Sequence, residues 1–154
     1  MALKGEMVIT RWSVSLISDV AANRGAVGVF DTAGSGVSFG DSAGRVTVSA
    51  SSSGKIPCGV FILPFASVDQ TINHRNFHNL QQVLGEPAPL AECGWVVTDQ
   101  IIGTPTIGAT AYLSSSGNVT PTNGGLANTP IVGQFSSIKD ADGYAKLTFN
   151  LPAV

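Results

Sequence analysis

Tyr144-Ala145-Lys146-Leu147-Thr148-Phe149-Asn150-Leu151 alternates side-chain character at every step. Ala145, Leu147, Phe149 and Leu151 fall on one side of an extended chain, and Lys146, Thr148 and Asn150 on the other. A period of two marks a half-buried β-strand. Asp140-Ala141-Asp142-Gly143 stands just before it. Asp-Gly tolerates positive φ, so this is a tight turn. Working back, Ile131–Ser136 reads as the preceding strand, and residues 122–130 as a loop. Ala111-Tyr112-Leu113-Ser114, Ser115-Ser116-Gly117-Asn118 and Val119-Thr120 spell a hairpin around a Gly-containing loop. Gly94–Thr98 and Gln100–Ile102 read as strand, broken by Gly103-Thr104-Pro105-Thr106.

The pattern weakens upstream. Ala26–Phe30, Arg45–Ala50 and Cys58–Leu63 are strand-like, the last stopped by Pro64. Residues 32–44 form a Gly/Ser/Ala-rich loop containing Ala33-Gly34-Ser35-Gly36. Val68–Leu84 is rich in Asn, Gln and His. Phe77, Leu80 and Leu84 fit a short helix, and an extended excursion fits as well. Pro87 and Pro89 argue for a loop over Gly85–Leu90. Trp95, inside a regular strand run, is expected in the core. No internal repeat is visible.

Residues 1–25 support two readings. Met7–Thr10 suits a short strand, while Val14, Leu16, Ile17 and Val20 suit either a short helix or an irregular arm. On the arm reading, Met7, Ile9, Trp12 and Leu16 are candidate protein-interface residues, because apolar groups on an arm stay exposed in a lone subunit. On the packed reading they lie under the domain.

Composition agrees with an all-β chain. In 154 residues there are 18 Gly, 16 Ser and 12 Thr, a mixture that suits strands and turns. Charged residues make up 12 %, about half the usual share, and the net charge is −2. The eight Lys and Arg are scattered singly, which argues against nucleic-acid binding by phosphate neutralisation. The longest apolar runs are too short to span a bilayer, and the first residues carry no apolar leader, so neither a membrane partner nor export is expected. Few charges mean weak mutual repulsion, a hint that much of the surface is covered by copies or partners. The length suits one domain over residues 1–154.

Few residues suggest chemistry. His74 and His78 with Cys58 and Cys93 make an imaginable zinc set, but structural zinc sites bring cysteines in close pairs. The two cysteines are expected as free thiols. Asp140-Ala141-Asp142-Gly143 begins like a calcium loop, yet Leu151 stands where the acidic ligand belongs. No phosphate-cradling Gly-x-x-x-x-Gly-Lys occurs. The expectation is a non-enzymatic protein with no cofactor and no metal.

Several segments together resemble the cement proteins of tailed bacteriophages, also called capsid decoration or head-stabilising proteins. They are Gly94–Thr98, Gly103–Thr106, Ala111–Thr120, Ile131–Phe135 and Lys139–Leu147, with Asn23–Phe30, Ser35-Gly36-Val37 and Ile56–Val60 upstream. The resemblance implies an all-β fold, a small β-sandwich or barrel of short strands (β-tulip-like), with the N-terminal segment as a candidate extended arm. It implies a homotrimer on the virion exterior, made in the host bacterial cytoplasm. Its partner is the major capsid protein, whose neighbouring subunits it clamps against internal DNA pressure. The family has no catalytic residues to carry over, and no interface residue is transferred by motif. A receptor- or glycan-binding module of a phage tail or fibre is the alternative.

Overall fold

Thirteen short strands and no α-helix make up the described part of a computed structural model of the chain, namely residues 3–31, 44–62, 67–69, 74–76, 81–82, 84–124 and 128–152. In chain order they are β1 (Leu3–Ser18), β2 (Ala22–Asn23), β3 (Val27–Phe30), β4 (Arg45–Thr47), β5 (Pro57–Phe61), β6 (Ser67–Asp69) and β7 (His74–Asn76). They continue with β8 (Gln81–Gln82), β9 (Pro87–Thr98), β10 (Thr110–Leu113), β11 (Val119–Thr120), β12 (Ile131–Phe135) and β13 (Ala145–Asn150). The all-β expectation holds.

One nine-stranded sheet runs β1-β4-β3-β5-β9-β13-β12-β10-β11, and β1 pairs again with β9. That second pairing closes β1, β4, β3, β5 and β9 into a five-stranded barrel, with the other four strands extending from it. The seam is β1 against β9, antiparallel, with Val8 opposite Trp95 and Ile17 opposite Pro87. Four register shifts bend β1 along the way. Bulges of this kind give a small barrel its curvature.

A barrel this narrow leaves room for few large side chains. Phe61, Val46 and Leu90 fill one cluster, and Gly28 and Gly59 supply the missing bulk by having none. A Cβ on Gly28 would crowd Val46 and Phe61, and one on Gly59 would meet Leu90. The larger cluster joins Val27, Val29 and Val60 of the barrel to Leu113, Val119, Phe135, Leu147 and Phe149 of the extension. Strands β10–β13 therefore share their inner face with the barrel wall. The turn Ser115–Gly117 sits close on β3, where a Cβ on Gly117 would meet the Val27 carbonyl.

Three expectations change. Residues 3–25 are neither free arm nor helix: Leu3–Ser18 is the longest described strand and forms the barrel seam. Its irregular apolar pattern reflects the bulges, which break the period of two. Pro87 and Pro89 lie in β9 rather than in a loop. Proline lacks an N–H but keeps its carbonyl, and Pro89 O accepts from the Ile62 N–H at 3.1 Å. Gln100–Ile102 makes only an isolated parallel bridge, Ile101 to Val119, and no strand. Ser67–Asp69 and His74–Asn76 pair as a small antiparallel ribbon, so these two pieces of the segment are extended. Phe77 and Leu80 lie outside the described residues, as does Gly34-Ser35-Gly36.

Candidate protein interface

The interface candidates Met7, Ile9, Trp12 and Leu16 all sit on β1, and the alternation of that strand separates them. Met7 and Ile9 turn inward and pack on the main core, and Leu16 packs on the barrel cluster. These three support the fold. Trp12 points outward and is 56 % exposed. Val8 and Val14, outside the sequence-based set, join it at 48 % and 44 %. A strand reading of Met7–Thr10 carried as far as Val14 was the signal that could have found them.

Trp95 is also displaced from its expected place. It pairs with Val8 on one side and Thr148 on the other, and Thr148 pairs with Gln134. Directly paired residues share a face. Val8, Thr148 and Gln134 are exposed, so this row faces outward. The neighbouring row, Val96, Leu147 and Phe135, is buried. The Lys146 ammonium lies 3.8 Å above the centre of the Trp95 ring, a cation–π contact on the outer face.

Beside this row the sheet is hollowed into an open groove of about 570 Å³. Gly94 and Gly133 line it, with Val8, Trp95 and Ile131 among its apolar walls. Gly94 is required there. Its φ is +140°, and a Cβ would overlap the Val8 carbonyl. Only glycine lets β1 and β9 come this close. The lining has no charged side chain, and Thr10, Gln134, Thr148 and Asn150 supply its polar groups.

Arg11 locks the seam at the groove's end. Its Nε donates to Glu92 Oε2 at 2.7 Å and its Nη2 to the Leu151 carbonyl at 2.6 Å. At the opposite edge of β1, Arg45 pairs with Asp19.

The chemical candidates do not converge. Cys58 is buried in the barrel cluster, where desolvation pushes its thiol up to about 12. Cys93 is half-buried and lines the groove. Both are free thiols. His74 lies in strand β7, and His78 falls outside the described residues. Among the described residues no three His, Cys, Asp or Glu side chains group as metal ligands. Asp140 spends its Oδ1 on the Asp142 and Tyr144 N–H groups at 3.0 and 2.8 Å, which is how a turn uses it. Among the described residues no helix is long and apolar enough to cross a membrane.

No known family model matches the chain, and no curated protein matches it significantly.

Proposed function

We propose that the chain is a structural virion protein that docks on the outer surface of a phage major-capsid lattice and stabilises the head, acting as a homotrimer and performing no catalysis. One observation carries the docking part: the seam strand β1 presents Val8, Trp12 and Val14 to solvent. An outward tryptophan between two outward valines is costly on a lone subunit and suits the anchor of an interface. The capsid as the partner rests on the resemblance of the strand and turn segments. A surface with few charges suits repeated docking on a lattice, where many weak contacts gain strength by avidity.

The groove favours a second reading. Trp95 next to Thr10, Gln134, Thr148 and Asn150 offers a ring face with amide and hydroxyl groups around it. That is the equipment of a glycan-binding module on a tail or fibre.

Cosedimentation separates the two. Purified protein is mixed with heads lacking it, and bound copies are counted. Saturable binding that Trp12→Ala weakens at least about tenfold supports the capsid reading. Absence of head binding, together with glycan-array signals abolished by Trp95→Ala, supports the second reading instead.

A further inference from the structure

We propose that copies of this chain join head to tail, the isoleucine-tipped loop end of one sheet seating in the apolar groove of the next. This deepens the assembly reading above: it rests on that reading for its setting and names a second copy as the occupant of the groove.

The tip is built from two loops, residues 99–109 and 136–144, which leave the same end of the sheet because Thr98 pairs with Ala145 and Thr110 with Gln134. Ile102, Ile107 and Ile138 stand on it, 45 %, 72 % and 61 % exposed. The loops are held firmly. The Gly108 N–H donates to the Phe135 carbonyl at 2.8 Å, and Lys139 Nζ donates to the Ile101 carbonyl at 2.9 Å. Isoleucine is stiff at χ1, so burying these side chains costs little entropy. Three such residues on a braced end form a preorganised apolar knob.

The groove offers the matching hollow. Its volume of about 570 Å³ admits several side chains, and its lining carries no charge. Charge at the margins is complementary. The two tip loops hold Asp99, Asp140 and Asp142 against a single Lys139. Lys146 stands at the groove, over Trp95.

Geometry favours a ring. The knob points along the strands, whereas the groove opens across the sheet face. Two different patches set at a large angle make a heterologous contact that turns with each added copy, as a cyclic trimer requires.

Sedimentation of purified protein without heads tests this. Wild type is expected to sediment as a closed oligomer. Ile107→Ser spoils the knob and Ile131→Ser the groove, both at exposed positions, with folding checked by circular dichroism. Each is expected to weaken self-association at least about tenfold and run as a monomer. Mixed together, the two variants should form a one-to-one dimer, since one intact knob still meets one intact groove. A monomeric wild type, variants that keep the wild-type mass, or a mixture that stays monomeric overturns the proposal. Trp12→Ala should leave the solution mass unchanged, so failure of this contact and failure of head docking are read separately.

Discussion

The closed barrel and the sheet extension solve the same burial problem in opposite ways. In the extension, β12 and β13 follow each other in sequence and pair through Gly133 and Phe149, with an inward side chain at every second position. In the barrel, β1 and β9 are held by contacts such as Arg11 to Glu92, 81 residues apart. Local alternation builds the first, while long-range closure, bulges and glycine build the second. The barrel is thus the more sensitive to any change that keeps its seam from shutting, and the extension to loss of ordinary core volume.

Gly94→Val strikes the seam at its closest approach and should have the largest effect. Positive φ and overlap with the Val8 carbonyl together cost at least about 3 kcal/mol. A sharply lowered Tm, with β1 amides losing exchange protection first, is the expected result. If Gly94→Val melts like wild type, the seam is not where the barrel is decided.

Two truncations weigh the cores against each other. Phe61→Ala empties the centre of the narrow barrel and should cost about 3–5 kcal/mol, while Leu147→Ala in the extension should cost about 2–5 kcal/mol. Denaturant midpoints at unchanged slope measure both. A larger loss for Leu147→Ala would place the stability of the fold in the extension.

The extension was the legible part. Alternation from Tyr144 to Leu151, the Asp-Gly turn and the Ser-rich hairpin each announce themselves within a few residues, and the structure has them as β13, the Asp140 turn and β10–β11. The barrel was legible only in pieces. Val27–Phe30 and Pro57–Phe61 read as strands, but nothing near Leu3–Ser18 signals that its partner is Pro87–Thr98. The bulges scramble the period of β1, and two prolines disguise the start of β9. The same scrambling hid the outward apolar row. Trp12 could be singled out by type, but Val8 and Val14 separate from Met7 and Ile9 only once the register is known. Trp95 could not be placed outward from its own neighbourhood, because Val96 and Val97 flank it on both faces.

Cys58 probes the barrel cluster by pH. Its thiol is pushed up to about 12 from 9.0 by burial, so the folded state holds the proton longer than the unfolded state. The stabilisation is fully present below pH 9 and is lost as pH rises from there towards 12, with a slope of up to about 1.4 kcal/mol per pH unit. Wild-type Tm should therefore fall more steeply above pH 9 than that of Cys58→Ala, and parallel curves would contradict the assignment. The smallest effect is expected at Arg11. Its side chain is about half exposed, so solvent screens the ion pair to Glu92, and Arg11→Ala, which also loses the bond to the Leu151 carbonyl, should cost about 1–2 kcal/mol by chemical denaturation.

If the protein docks through the outer side of its seam strand, hydrogen exchange on head-bound against free protein will show added protection in peptides covering Val8–Val14. Protection confined to other surfaces, with Val8–Val14 exchanging as in the free protein, would contradict it.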